Sequence, residues 1–424
     1  MKKMLSMVLA LLMVISMAAV SGAVAEDAIT IRVFTNLPDR TSNQGLVEQI
    51  IFDQYMAENP NITIEVEALD DEAYKTKFKA YAAGTEMPDL VSVWGQPGFI
   101  SEVIEAGLLA ELTETDYADY GFIEGSLTGF RGKNGKLYGL PRNTDVMGFY
   151  YNKALFDAHG WAVPATFAEL VELCKAIRAE GLEPIAADGA DKWPVGLFYH
   201  DMLMKQLGTN LVDLYAETIT NKAFGANPVF LEMAKLYQEN AATLFQLGFE
   251  TQDYGTAKNL FANGMTAMYY MGSWEMSMAN DQNILPEVRE NIRVFTMPVI
   301  DGGTGVATDI AAWNGGGHSV TASGVQKEEA LKLLNYMYKP ENWTRLAWEN
   351  NVCMSAQDFA QYQTGSETPV QLEFISYVQN STSLSGTPLN DSGTAEFKTR
   401  GEDASQELAA SMITPEDFIG KLDQ

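Results

Sequence analysis

The order of apolar strands and amphipathic helices in this chain predicts an α/β fold in which helices flank a mainly parallel sheet. Residues 29–94 alternate in the order β-α-β-α-β, which is typical of parallel strands joined by helical crossovers. The chain then becomes mostly helical as far as Met276, and an apolar strand returns at Ile292–Met297. This order indicates a first lobe that is interrupted by a second. With 424 residues, the chain is long enough for two or more domains with substantial cores.

In the first half, most elements end at a recognisable residue. Asn59-Pro60 stops the first helix, Gly84 ends the second, and Trp94-Gly95 ends the third strand. The predicted elements are strands Ile29–Phe34, Ile62–Val66 and Leu90–Val93, a helix that turns Leu46, Ile50, Tyr55 and Met56 inward, and helix Tyr74–Ala83. Ligands of such sheets bind beyond the carboxyl ends of the strands. Loops 35–45 and 94–98 are therefore expected at a ligand crevice.

In the second half, Thr166 is predicted to cap a helix over Phe167–Ala179, with Glu169 in its first turn. Thr266–Met271 is predicted as an apolar strand that ends at Gly272-Ser273-Trp274. The stretch GGGHSVTAS returns as a strand, and the helix after it has one apolar face formed by Ala330, Leu333, Leu334 and Met337. Thr414-Pro415 separates two short helices near the C-terminus.

The first 25 residues have the pattern of a secretory signal peptide. Lys2 and Lys3 precede an apolar run over Met4–Val20, and Ala23-Val24-Ala25 forms an A-x-A site, so cleavage is expected after Ala25. The alternative is a membrane anchor, but the run is short and ends in small residues. No cysteine lies near the cleavage site, so a lipid anchor is not predicted, and an extracytoplasmic location is expected.

Charge and cysteine content exclude some function classes. Removing Lys2 and Lys3 takes the formal net charge from −28 to −30, which disfavours nucleic acid and anionic lipid as partners. Export would permit a disulfide between Cys174 and Cys353, the two cysteines of the chain. However, Cys174 lies on the apolar face of a predicted helix, which favours a buried thiol.

The stretch Gly135–Phe156, GKLYGLPRNTDVMGFYYNKALF, places polar residues between two apolar runs. Pro141 breaks the first run, and Arg142, Asn143, Thr144 and Asp145 follow before the second. Buried polar groups must be paired. The segment is therefore either a surface loop between strands or a ligand contact at a crossover between two lobes.

This stretch resembles the lobe-crossing segment of the extracellular solute-binding proteins of ABC importers, the family that includes maltose-binding protein. Other segments resemble family motifs in the same order: NPNITIEVE, GTEMPDLVSVWG, WAVPATFAELVELCKAIRAEGLEPIA, FANGMTAMYYMGSW, MPVIDGG and ITPEDFIGKL. The resemblance implies two α/β lobes joined by hinge strands, closing over a ligand, and delivery of that ligand to a membrane permease. It implies a carbohydrate ligand, expected to be an oligosaccharide, and a monomer. The expected division is residues 26–141 and 294–338 for the N-terminal lobe, and 142–293 and 339–424 for the C-terminal lobe.

A sugar site needs aromatic rings for C–H faces and polar groups for hydroxyls. Asp145 and Trp274 match family ligand positions, against the alternatives of a hinge cap and a core aromatic. Trp94, Trp193 and Asn143 are further candidates for the site. Asp39 and Arg40 lie in the first loop, where family members contact ligand, although an exposed pair is the alternative. Trp313 and Asn314 precede Gly315-Gly316-Gly317, where backbone could approach ligand closely.

Other functions are less well supported. His159, His200 and His318 are scattered, and the chain has no H-E-x-x-H, G-x-S-x-G or Walker A motif. No enzyme activity, metal or cofactor is therefore predicted, although paired carboxylates could in principle hydrolyse glycosides. Neighbours in a strand face opposite sides, so the pairs Tyr150-Tyr151 and Tyr269-Tyr270 cannot chelate ferric ion as units. A polyamine stays an alternative ligand, because Asp39 and Asp145 could face a cation.

Overall fold

The computed structural model describes residues 27–208 and 211–424, so the predicted signal peptide and its cleavage site lie outside the described residues. The strands are β1 (Ile29–Thr35), β2 (Ile62–Ala68), β3 (Leu90–Trp94), β4 (Leu140–Pro141), β5 (Asn143–Asn152), β6 (Glu183–Ala186), β7 (Thr266–Gly272), β8 (Ile292–Phe295), β9 (Asp309–Ile310), β10 (Ala312–Asn314), β11 (Gly316–Val320), β12 (Met354–Ser355) and β13 (Ser383–Leu384).

The α-helices are α1 (Asn43–Glu58), α2 (Asp71–Ala82), α3 (Pro97–Glu105), α4 (Lys153–His159), α5 (Phe167–Ala179), α6 (Trp193–Leu207), α7 (Leu211–Asn221), α8 (Pro228–Leu244), α9 (Tyr254–Ala262), α10 (Pro286–Arg289), α11 (Lys327–Met337), α12 (Trp343–Glu349), α13 (Pro369–Gln379), α14 (Ala395–Ala409) and α15 (Pro415–Leu422). Short 3₁₀ helices lie at Glu114–Tyr117, Thr128–Phe130, Phe224–Ala226, Phe249–Thr251, Ser273–Ala279, Ala360–Tyr362 and Leu389–Asp391.

The first sheet has the strand order β2-β1-β3-β11-β4. Strand β1 pairs in parallel with β2 and β3, as the β-α-β-α-β pattern predicts. Strand β11 is antiparallel to β3 and β4, because the chain adds it only after returning from the other half of the molecule. This sheet and its helices form the first lobe, with one core cluster.

Helix α1 packs on this sheet with a different face from the predicted one. Its buried apolar residues are Val47, Ile51, Phe52 and Tyr55. Of the four predicted inward residues, Tyr55 is buried as predicted, whereas Leu46, Ile50 and Met56 are only partly buried. The buried face also contains Glu48, whose carboxylate receives hydrogen bonds in the core, so the apolar pattern alone did not mark that face.

The second sheet is built around the ten-residue strand β5, in the order β10-β5-β7-β6, with β8 and β12 also paired to β5. The prediction of a mainly parallel sheet is wrong for this lobe. Strands β7, β8, β10 and β12 all run antiparallel to β5, whereas β6 pairs in parallel with β7, and β9 pairs in parallel with β13 in a separate small sheet. Strand β5 carries the chain away from the first lobe, and its four neighbours run back towards it. The two-lobe α/β architecture is confirmed.

The chain crosses between the sheets at three places, and two of the expected boundaries are corrected. Arg142 separates β4 from β5, as expected. The return crossing is at Gly315, between β10 and β11, rather than at residue 294. Strand β8 pairs with β5, and Phe295 and Met297 lie in the second lobe's core, so this segment cannot belong to the first lobe.

The third crossing follows Cys353. Residues assigned by sequence to the C-terminal lobe, among them Trp343, Leu346 and Cys353, pack instead in the first lobe's core. Strand β12, which begins at Met354, pairs with β5. The first lobe therefore extends to about residue 353, because Trp343 and Leu346 of α12 are buried in its core cluster.

Both faces of the second sheet are covered by apolar clusters. Tyr150 and Tyr269 lie in one cluster, and Tyr151 and Tyr270 lie in the other, so neighbouring tyrosines do face opposite sides. Both cysteines are free and buried, as the apolar helix face indicates for Cys174. Over residues 27–208 and 211–424, no helix has the length and apolar character needed to span a bilayer.

Candidate functional site

A cavity of about 500 Å³ lies between the two lobes, where the crossing segment meets the carboxyl ends of β1 and β3. This is the position at which open α/β sheets place their ligands. Its walls include seven of the nine predicted site residues: Asp39, Trp94, Asn143, Asp145, Trp193, Trp274 and Trp313.

The first lobe contributes an aromatic corner. Trp94 ends β3, and Phe99 lies in the first turn of α3, with ring centroids 5.0 Å apart and nearly perpendicular planes. The Lys75 ammonium lies 5.6 Å from the centroid of the Trp94 ring, within the range of a cation–π contact. The Gln96 side chain, after β3, donates to the Asn314 carbonyl over 2.7 Å and links the loop to the return crossing.

The crossing segment contributes a buried guanidinium. Arg142 is 4% exposed, and its Nη2 donates to Asn36 Oδ1 over 3.1 Å. Asn36 Nδ2 in turn donates to Asp71 Oδ1 over 2.8 Å. Among the described residues, Nε and Nη1 of Arg142 have no acceptor. Oδ1 of Asn143 likewise has no donor. Orphaned buried donors and acceptors beside a cavity are groups that a ligand can satisfy.

Asp145 is a buried carboxylate on β5 that receives a hydrogen bond from the Asn143 side chain. Burial raises its pKa to about 7, although Arg142 and the Asn143 hydrogen bond act in the opposite direction. Gly315 makes room for it, because a Cβ at that position would overlap the Asp145 carboxylate. The glycine run thus accommodates side chains of β5, and of its three residues Gly316 lines the cavity.

The second lobe contributes a row of aromatic rings. Trp274 lies between Trp193 and Trp313, with centroid separations of 5.9 and 6.4 Å. The Tyr254 ring joins them, with its centroid 6.3 Å from that of Trp193. The rings come from the start of α6, the end of β10, the start of α9 and the 3₁₀ turn after β7, so four separate segments build one wall.

A charged pair stands behind this row. Glu275 is 1% exposed, and its Oε2 lies 2.9 Å from Lys258 Nζ. Its other oxygen accepts a hydrogen bond from the Tyr254 hydroxyl. The Trp274 indole Nε1 donates to the same hydroxyl over 3.2 Å.

Three predicted residues are already engaged elsewhere. The Asp39 carboxylate accepts hydrogen bonds from Thr41 and Ser42 in its own loop, and although partial burial raises its pKa, these bonds lower it to about 2. Arg40 does not line the cavity; its guanidinium pairs with buried Glu48. The Asn314 side chain donates to the Gly125 carbonyl, away from the cavity.

Sequence analysis missed Asp71, Lys75, Tyr254, Lys258 and Glu275 as cavity residues. One local signal was present: Glu275 follows Trp274 directly where an apolar strand ends, and a carboxylate there is unlikely to be buried without a partner. The other four lie on helices α2 and α9, whose approach to the cavity depends on the fold.

The arrangement suits hydrogen bonding and ring stacking of a polar, partly apolar ligand. In the part of the chain that the structure describes, no group of three or more His, Cys, Asp or Glu side chains could hold a metal ion.

Comparisons with known proteins show the family and the fold. The sequence model of the family "bacterial extracellular solute-binding protein" matches residues 38–342. A multiple sugar-binding protein of Streptococcus mutans serotype c is 25% identical over 318 residues, which cover 74% of this chain and 71% of that protein. An uncharacterized ABC transporter extracellular-binding protein of Pyrococcus horikoshii is 26% identical over 234 residues, 54% of this chain and 53% of that protein.

Among solved structures, one from work on xylan utilization by Caldanaerobius polysaccharolyticus superposes with a TM-score of 0.85. It is 26% identical, and the match covers 93% of this chain and 99% of that one. A chitin oligosaccharide binding protein superposes with a TM-score of 0.82 at 22% identity, covering 94% and 98% of the two chains, which supports the fold alone.

Proposed function

Since this chain belongs to the bacterial extracellular solute-binding protein family, we propose that it captures an oligosaccharide between its lobes and delivers it to the permease of an ABC importer. One observation carries the sugar assignment: the row Trp193, Trp274 and Trp313 shares a cavity with the polar groups of Arg142 and Asp145. Aromatic faces suit the C–H faces of pyranose rings, and charged hydrogen-bonding groups suit hydroxyls. The named relative that binds multiple sugars supports the same class.

An oligosaccharide fits the space better than a single ring. The cavity of about 500 Å³ lies within the range of roughly 300–1,000 Å³ found for sites that hold drug-sized ligands, which are larger than one sugar ring. The row of three indoles, with neighbouring centroids about 6 Å apart, offers more ring surface than one sugar can cover.

A contact between the two lobes beside the cavity supports this function. The first turn of α3 packs against the second lobe at Gly98, where an added Cβ would lie 3.2 Å from the Lys398 side chain. Lys398 itself is held by Asp391 and Glu402, each at 2.5 Å. A ligand that contacts both lobes favours this closed arrangement, and the permease would respond to it.

A polyamine is the second ligand class, because nine carboxylates, among them Asp70, Asp191 and Asp253, line the cavity beside four basic side chains. Lys75, Arg142, Lys258 and Lys398 all line the cavity. The acidic candidates are also occupied: Asp39 bonds within its own loop, and the burial that raises the pKa of Asp145 to about 7 leaves it partly protonated at neutral pH. Two of the four cations, Lys258 and Lys398, are paired with carboxylates, so the binding test includes spermidine.

The same proposal includes binding without catalysis and action as a monomer. It also includes export, with cleavage after Ala25 and no lipid anchor. One relative is named a multiple sugar-binding protein and another an ABC transporter extracellular-binding protein, which supports a transport role rather than an enzymatic one. The acidic surface, with formal net charge −28, supports a partner other than nucleic acid.

The test is a titration of the mature protein with oligosaccharides of one to five units and with spermidine, followed by calorimetry. Trp274→Ala should weaken sugar binding by tenfold or more, from the loss of about 1–3 kcal/mol of ring contact. The matched control is Trp161→Ala, because Trp161 stacks on His159 outside the cavity. Binding of spermidine but of no sugar would overturn the ligand class, and equal affinities for the two variants would remove Trp274 from the site.

A further inference from the structure

We infer that Tyr254 and Glu275 are positioning residues that hold the Trp274 ring in the orientation needed to stack on a ligand. This inference rests on the proposed sugar-binding function. Neither residue was assigned to the site from the sequence, and both line the cavity next to Trp274.

The direction of the hydrogen bonds is determined by chemistry. Glu275 is held beside Lys258 Nζ at 2.9 Å, so its ionised carboxylate offers only acceptors. The Tyr254 hydroxyl has one proton, which it donates to Glu275. A lone pair of the same oxygen is then left to accept the Trp274 indole N–H over 3.2 Å. The indole has a donor and no acceptor, so this chain of contacts has one consistent polarity.

The backbone restricts the ring from a second direction. A Cβ on Gly272 would overlap the six-membered part of the Trp274 indole, so the ring lies directly against this glycine. Trp193 and Trp313 flank the ring at interplanar angles of 56° and 62°. One edge is therefore held by Tyr254 and one side by Gly272, which leaves the remaining ring surface for a ligand.

This arrangement makes Trp274 a preorganised platform. A tryptophan that is free to rotate would lose side-chain entropy when it stacks on a sugar, whereas a fixed ring has already lost it on folding. Burial raises the pKa of Tyr254 well above its usual value, with the Glu275 charge adding to the effect, so the hydroxyl keeps its proton. The contact is thus maintained across the neutral pH range.

The test separates ring positioning from direct ligand contact. Tyr254→Phe keeps the aromatic ring and removes the hydroxyl. In the ligand-free protein, its first readout is the indole N–H signal of Trp274 in a nitrogen–proton NMR spectrum of the seven tryptophans, assigned by its absence from Trp274→Phe. We expect this signal to move upfield and its proton to exchange faster with solvent. An unchanged signal would overturn the inference without any sugar being present.

The second readout is a double-mutant cycle on sugar affinity. Tyr254→Phe should weaken binding about three- to tenfold in the wild-type background, the range for one lost hydrogen bond. It should have little effect in the Trp274→Phe background, where no indole N–H remains. An equal loss in both backgrounds would mean that the hydroxyl acts on the ligand or the fold directly, and would overturn the positioning role.

Glu275→Gln is the supporting variant if Tyr254→Phe lowers stability. The Gln amide can both donate and accept, so it no longer imposes the direction of the hydrogen bonds from Trp274 through Tyr254. The Trp274 indole signal should shift in the same direction as in Tyr254→Phe, with a smaller loss of sugar affinity. An unchanged Trp274 indole signal in this variant would contradict the proposed role of Glu275. If no sugar binds to the wild-type protein, the NMR result still decides the positioning, and the proposed function fails separately.

Discussion

Replacing Asp145 with asparagine should stabilise the empty protein and weaken its ligand binding at the same time. Asn keeps the shape of the side chain and can still accept the hydrogen bond from Asn143. It removes the charge that burial disfavours. The two effects have opposite signs because the same charge is unfavourable in the empty cavity and useful to a hydroxyl donor.

The size of the stability effect follows from the pKa. A rise from the ordinary value of 3.8 to about 7 in the folded protein corresponds to about 4 kcal/mol at most. Because the folded pKa is the higher one, the stability contributed by protonated Asp145 is fully present below about pH 4 and is lost as the pH rises to about 7. Asp145→Asn should therefore match the wild type at pH 4 and exceed its free energy of unfolding by up to about 4 kcal/mol at pH 8.

Ligand binding should change in the other direction. A hydrogen bond from a sugar hydroxyl to an ionised carboxylate contributes about 1.5–3 kcal/mol, so the variant should bind sugar at least tenfold more weakly at pH 8. Wild-type affinity should fall as the pH drops through about 7, where Asp145 gains its proton. The affinity of the variant should not show this step.

The assay is denaturant unfolding of the empty protein at half-unit steps from pH 4 to pH 8, with calorimetric titration of sugar at the same pH values. Asp119→Asn serves as the control, because Asp119 is exposed. Equal unfolding free energies of Asp145→Asn and wild type at pH 8 would refute the desolvation argument. A stabilised variant with unchanged affinity would instead remove Asp145 from the ligand site.

Two further predictions concern closure and the buried network of the first lobe. Gly98→Leu should clash with Lys398, so X-ray scattering should show an open molecule even with sugar, and sugar affinity should fall about tenfold or more. The control is Gly420→Leu, because Gly420 lies in open space on α15. Closure of both variants would contradict the prediction. Arg40→Leu should lower the free energy of unfolding by up to about 3 kcal/mol, because Glu48 is fully buried and loses its cationic partner. His318 still bonds to Glu48 in that variant, and an unchanged denaturation midpoint would show that Arg40 contributes nothing to the core.

Local features of the sequence predicted the elements well. Alternation of apolar residues located β1 and β2, and the cap Thr166 marked the start of α5, where its hydroxyl accepts from the Glu169 amide. The apolar face of α11, with Ala330, Leu333, Leu334 and Met337, is buried as predicted. These features depend on residues a few positions apart, so the sequence contains them directly.

Motif positions also located much of the cavity wall. Trp94 ends β3, Asp145 lies near the start of β5 and Trp274 follows β7, and the fold brings these strand ends together at the crevice. Arg40, in the first loop, and Asn314, at the end of β10, are also near the crevice but bond to groups outside the cavity. Position in a loop does not determine side-chain direction, because a nearby partner such as Glu48 can capture the group first.

What the sequence determined by itself is the α/β class, most element boundaries and the segment at which the chain leaves the first lobe. Only the tertiary structure decided that β5 is surrounded by antiparallel strands, that the return crossing is at Gly315, and that Tyr254 and Glu275 stand behind Trp274. These contacts join residues that are distant in the chain. Strand direction depends on the geometry of the connections between strands. Their free energy comes from packing and pairing of the whole molecule, which no local pattern of residues contains.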